Sequence, residues 1–74
     1  MTLTPVQRSV LLSLTTDWQT PIQIAALLST DPSEVNQPLK ELLSEGLVQT
    51  TPVVLGTYRL TSKGAAAKAD LLSE

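Results

Sequence analysis

The chain has 74 residues, enough for one domain spanning 1–74, because a chain of this size buries only about 60% of its unfolded surface and supports a single core. Hydrophobic residues make up 42% and charged residues 16%, which excludes a disordered tail, and polar interruptions leave no apolar run of the ~20 residues that a membrane span needs. There is no Cys and no His, so disulfides, thiolate metal sites and thiol nucleophiles are excluded, and no pattern pairs a carboxylate, Lys or Tyr with a nucleophile; no catalytic residue, metal ligand or cofactor is expected.

Three segments open with the same local device. Thr4-Pro5-Val6-Gln7, Thr20-Pro21-Ile22-Gln23 and Asp31-Pro32-Ser33-Glu34 each read cap, proline, any residue, then Gln or Glu. The cap oxygen accepts an orphan amide, proline has none to lose at the first position, and the Gln or Glu reaches back to the cap. After the first start, Val6, Val10, Leu11 and Leu14 recur at helical spacing, predicting a helix over Pro5 to Leu14 with these residues inward. The start Met1 to Arg8 lacks the charge and apolar run of a signal peptide, so a cytoplasmic location is expected. The second helix is short, carries Ile24, Ala25 and Leu28 on one face, and stops at Ser29-Thr30. A turn of about three residues then leads to the third cap, a helix-turn-helix pattern.

The third helix puts Val35, Leu39, Leu42 and Leu43 inward and ends at Gly46, a residue suited to the left-handed position after a helix. Pro38 falls in its interior, where it removes one backbone hydrogen bond; the pattern fits one bent helix better than a separate turn over Pro32 to Asn36. From Leu47 the period changes. Leu47 to Thr51 and Thr57 to Thr61 read as two strands of a hairpin around a loop with Pro52 and Gly56. Asp17-Trp18-Gln19 is a candidate third strand, with Trp18 closing the core beneath the second helix. The Ala-rich stretch Ser62 to Ser73 reads as a fourth helix despite Gly64.

The expected class is therefore α+β, a winged helix-turn-helix with a three-helix core, a β-hairpin wing and a C-terminal helix. The collinear set Thr20 to Ala25, Asp31 to Asn36, Leu39-Lys40-Glu41-Leu42, Glu45-Gly46-Leu47-Val48 and Tyr58-Arg59-Leu60-Thr61-Ser62-Lys63-Gly64 resembles small prokaryotic regulators of the MarR and PadR type. The resemblance spans nearly the whole chain. It implies a sequence-specific transcriptional regulator that works as a dimer on double-stranded DNA, with the third helix in the major groove and the wing on the backbone.

On that resemblance the base-reading candidates are the solvent-facing positions of the third helix: Ser33, Asn36, Gln37, Lys40 and Ser44. Asn36 and Gln37 suit paired hydrogen bonds to adenine, and Lys40 suits guanine or a phosphate. Arg59 and Lys63 lie where the family contacts phosphates, with Thr20 or Thr30 adding contacts at helix starts. Each of these is equally an ordinary solvated residue of a surface.

Three features pull the other way. The formal net charge is −2, whereas phosphate binding is driven by Lys and Arg. The third helix carries Glu41 and Glu45, and Glu34 is expected to be occupied by its cap. The wing tip is apolar at Val53, Val54 and Leu55, where basic residues are common; it serves a dimer contact, a protein partner, or a cover for the core. The alternative function is therefore a winged-helix protein-interaction module, an accessory subunit or adaptor using Val53, Val54 and Leu55. The Ala-rich fourth helix offers Ala65, Ala66, Ala69 and Leu72 either to a homodimer or to the first helix. No membrane partner is expected.

Overall fold

The computed structural model describes residues 2–51, 53 and 56–73. Its elements run α1 (Pro5–Ser13), α2 (Pro21–Leu28), α3 (Pro32–Ser44), β1 (Val48–Thr50), β2 (Tyr58–Leu60) and α4 (Ser62–Leu72). The expected order is present, with the strands trimmed to three residues each.

The local devices work at two of the three helix starts. Thr4 and Thr20 both form complete capping boxes: the amide of Gln7 donates to Thr4 Oγ1 at 3.1 Å and the Thr4 amide to Gln7 Oε1 at 2.9 Å. Gln23 and Thr20 repeat this at 3.2 and 2.9 Å. Asp31 breaks the series, making no side-chain cap bond although it stands at the N-cap of α3. Its carbonyl takes the Glu34 amide at 2.9 Å. The expected role of Glu34 as a capping partner is therefore not realised, and both residues are exposed.

The two Schellman closures are equally local in origin. At the end of α3 the Gly46 amide donates to the Leu43 carbonyl and the Leu47 amide to the Leu42 carbonyl, both at 3.0 Å. Gly46 has φ +76°, a region that costs a residue with a Cβ about 1–2 kcal/mol. α2 ends the same way on Ser29, which accepts φ 54° without being glycine; Ser29 and Thr30 donate to Ala26 and Ala25 at 3.2 and 3.0 Å. Only Ser29, Thr30 and Asp31 separate α2 from α3.

One core joins the elements: Val10, Leu11 and Leu14 from the α1 segment, Ile24 and Ala25 from α2, Val35, Leu39 and Leu42 from α3, then Leu47, Val48 and Leu60. Burial of this kind contributes about 25 cal/mol per Å² of apolar surface removed from water. Two helix residues of the expected apolar stripes lie outside. Val6 is 51% and Leu43 40% exposed, each standing at the edge of its helix's apolar stripe. Pro38 sits inside the single helix α3 and is buried. Its packing against the core offsets part of the lost backbone hydrogen bond.

β1 and β2 pair antiparallel, with Val48 opposite Leu60, Gln49 opposite Arg59 and Thr50 opposite Tyr58. A third segment lies on the other edge of β2 and is a single bridge rather than a strand: Gln19 and Tyr58 exchange backbone hydrogen bonds at 2.9 and 2.8 Å. The Leu60 amide also donates to the Thr15 carbonyl at 2.9 Å. Side chains alternate across a strand, and Leu60 and Tyr58 face the core, so Arg59 faces out. Trp18, one residue from the bridge, is turned to the same outer side. It is 39% exposed and does not close the core beneath α2.

α4 is locked to the end of α3 through four contacts. Thr61 caps α4 by accepting from the Gly64 amide at 3.0 Å and donates its hydroxyl to the Gly46 carbonyl; the Thr61 amide reaches the Leu47 carbonyl at 3.1 Å. Lys63 Nζ donates to the Glu45 carbonyl at 2.9 Å, and a Cβ on Gly64 would fall 1.8 Å from the Leu47 carbonyl oxygen. The segments Glu45–Val48 and Leu60–Gly64 therefore act as one interlocked unit. Further along α4, Lys68 Nζ donates to the Leu14 carbonyl at 2.7 Å, beside the C-terminal end of α1. Ala65, Ala67 and Leu71 pack on the chain's own core, while Ala66, Ala69 and Leu72 are exposed. No described helix is long and apolar enough to cross a membrane.

Candidate nucleic-acid interface

α3 separates a buried apolar face from an exposed polar one, with Leu43 exposed at their border. Val35, Pro38, Leu39 and Leu42 are buried, whereas Ser33, Asn36, Gln37, Lys40 and Ser44 are all exposed. Offsets of three, four, seven and eleven from Ser33 keep these polar residues on one side of a helix with 3.6 residues per turn. Ser44 spends its hydroxyl on the Glu41 carbonyl at 2.8 Å, leaving an amide and ammonium face of Asn36, Gln37 and Lys40 at the centre. Asn and Gln offer both donors and acceptors, and Lys offers three donors. That set matches base edges and phosphate oxygens in a groove.

The acidic residues of α3 are placed differently from one another. Glu41 is half-buried and accepts a hydrogen bond from Gln7 Nε2 at 2.8 Å, so its carboxylate is engaged by α1. Gln7 thus serves two partners, its oxygen closing the α1 capping box and its nitrogen holding Glu41. The spare amide hydrogens of a capping-box Gln are the one sequence signal for this, and they do not name their partner. Glu34 and Glu45 remain exposed.

The wing residues do not form one patch of free charge. Lys63 is exposed, but its ammonium lies against the C-terminal end of α3, where a cation also complements the helix dipole. Arg59 is half-buried between two neighbours on the outer face of the sheet. Its guanidinium carbon lies 4.4 Å from the centroid of the Trp18 ring. With the amide oxygen of Gln49 turned to the guanidinium, Gln49 accepts from Arg59 Nε and Nη2, each at 2.9 Å. Trp18 and Gln49 are the residues that reading the sequence missed. Of the apolar tip, Val53 is 87% exposed, and Val54 and Leu55 lie outside the described residues. Among the described residues no group of three or more acidic or other metal-binding side chains is placed to hold a metal ion.

Solved structures decide which helical fold this is. The reduced form of MarR from E. coli superposes with a TM-score of 0.79 at 31% sequence identity, covering 95% of this chain and 52% of MarR. The fold is a MarR-type winged helix. RosR from H. salinarum carries the same winged helix, with a TM-score of 0.81 at 25% identity over 96% of this chain and 72% of RosR. ZitR from Lactococcus lactis in complex with DNA gives 0.81 at 23% identity over 99% of this chain and 53% of ZitR. The chain thus spans about half the length of MarR and ZitR. Neither a protein-family model nor a curated protein sequence matches it. Within the winged helix, α2 and α3 are the helix-turn-helix and the β1–β2 hairpin is the wing.

Proposed function

We propose that this winged helix is the DNA-binding element of a transcriptional regulator, with α3 seated in the major groove and the β1–β2 wing on the adjacent backbone. The observation that carries the reading is the exposed face of Asn36, Gln37 and Lys40 standing directly over the buried Val35, Leu39 and Leu42. A rigid helix that presents amides and an ammonium is the element that reads base edges. ZitR, which shares the fold, is known in complex with DNA. Ser33 and Ser44 flank the reading face, Arg59 supplies a backbone contact, and Lys63 supplies one only on leaving the Glu45 carbonyl. Gln7 holds the Glu41 carboxylate at the α1 side of the helix, which orients its charge without removing it.

Regulation in this reading is steric. Two copies place their α3 helices about 34 Å apart, one turn of DNA, on a palindromic site, so that polymerase is blocked or recruited. Ala66, Ala69 and Leu72, exposed on α4, are the contact between copies. Anisotropy titration with a mixed-sequence duplex at low and moderate salt tests the proposal. Binding that falls steeply with salt, and that Lys40→Ala weakens, supports it; no binding at low salt refutes it.

One observation favours a second reading. Val53 stands 87% exposed on the wing, in a chain of net charge −2, which suits a protein partner that covers an apolar tip. In that case Val53→Asp abolishes capture of the partner while Gln37→Ala and Lys40→Ala leave it intact. Damage from the α3 substitutions alone removes this reading.

A further inference from the structure

We propose that Trp18 and Gln49 are positioning residues that hold Arg59 in a fixed pose, making it a preorganised phosphate contact on the outer face of the wing. The inference rests on the DNA reading above and adds residues that neither the sequence pattern nor the helix-turn-helix itself supplies. Arg59 lies on the middle strand of three neighbouring segments, with Gln49 opposite it on β1 and Trp18 beside it on the 15–19 segment. The ring at 4.4 Å supports one face of the guanidinium, and the Gln49 oxygen takes two of its N–H groups.

An arginine has five N–H groups. Two go to Gln49, and no carboxylate pairs with Arg59 among the described residues, so the positive charge is held and oriented without being neutralised. Gln49 is suited to this, because an amide oxygen orients a guanidinium while adding no negative charge. A Glu at position 49 would orient it equally well and cancel the charge that a phosphate needs. Arg59 also lines a shallow depression with Thr16 and Ser62. Fixing a long side chain before binding removes about 0.5–1.5 kcal/mol of ordering cost for each rotamer-rich chain immobilised at an interface. In a domain with only five basic residues, two of which hold helix ends, each cation that arrives already aimed matters more.

A double-mutant cycle on DNA binding tests this, using a fluorescein-labelled mixed-sequence duplex of about 30 base pairs across a salt series. Arg59→Gln should lower the slope of log K against log salt by about 0.9, the loss of one phosphate contact. Trp18→Ala and Gln49→Ala keep the charge and should weaken binding about two- to fivefold in the unaltered background, then have no effect once Arg59→Gln is present. Trp18→Tyr, which retains a ring, should bind within about twofold of the unaltered protein. Thermal melts by circular dichroism identify any variant that is unfolded, and Trp18→Tyr with Gln49→Ala carries the test if Trp18→Ala does not fold. The inference is overturned if Trp18→Ala and Gln49→Ala weaken binding equally in both backgrounds, or not at all, or if Arg59→Gln leaves affinity and slope unchanged. Duplex binding that survives these results removes the Arg59 clamp and leaves the role of α3 standing. No duplex binding by the unaltered domain overturns both.

Discussion

Replacing Gly64 with alanine sets two effects of opposite sign against each other. Gly64 lies in the first turn of α4, and helix propensity alone makes alanine better than glycine by about 1 kcal/mol. The structure reverses the expectation. A Cβ at this position would fall 1.8 Å from the Leu47 carbonyl oxygen, 2.8 Å from its carbon and 3.2 Å from Leu60 Cδ2. The first two atoms are backbone, so no rotamer change relieves them; α4 must move away from Leu47. That movement stretches the Thr61 amide bond to the same carbonyl, the Thr61 hydroxyl bond to Gly46 and the Lys63 bond to Glu45. Overpacking costs about 1–3 kcal/mol, and weakening this set of hydrogen bonds adds about 0.5–1.5 kcal/mol for each one lost. With the middle of each range and two of these bonds lost, a net loss of about 3 kcal/mol remains after the propensity gain is subtracted. Against a total stability of about 4–11 kcal/mol for a domain of this size, the melting temperature should fall by at least about 8 °C. Urea and thermal unfolding followed by circular dichroism measure it. An alanine variant as stable as the parent, or more stable, would refute the close approach of α4 to the α3–β1 turn.

Other substitutions probe the local devices. Ser29→Gly should stabilise the domain by about 0.5–1 kcal/mol, since Ser29 holds φ 54° with a Cβ present; a loss of stability in urea would count against this helix end. Thr4→Ala and Thr20→Ala should each cost about 1 kcal/mol, whereas Asp31→Ala should cost well under half as much, because Asp31 makes no side-chain cap bond; equal losses on thermal melting would contradict the difference. Lys68→Met removes the ammonium from the Leu14 carbonyl and should destabilise by about 0.5–1 kcal/mol, with salt-insensitive melting of both proteins at the same temperature as the contrary result.

How much of this was legible in the residues follows from how far each determinant reaches along the chain. The first two capping boxes close over three residues, and the α3 stripe and the Gly46 turn over one or two helical turns, so a local pattern specifies them. Asp31 carries the same pattern and makes no side-chain cap bond, so the pattern alone does not separate it from Thr4 and Thr20. Trp18 was misplaced because its side is fixed by the bridge between Gln19 and Tyr58, residues 39 apart by numbering, and a shift of one residue sends a side chain to the opposite face. The same distance hides the Arg59 cluster. Gly64 looked like a weak spot in a helix and is a contact surface, because its neighbour Leu47 lies in a different element. On the candidate interface, the exposed positions of α3 followed from periodicity, while the engagement of Glu41 by Gln7 required the packing of α1 on α3.

The most direct test of the central claim is an amide chemical-shift titration of the labelled domain with duplex DNA at low salt. The account predicts that the largest perturbations fall at Ser33, Asn36, Gln37, Lys40 and Ser44, with a second group near Arg59. An α3 face that stays unmoved while duplex is bound elsewhere, or a spectrum that does not respond to duplex at all, would contradict it.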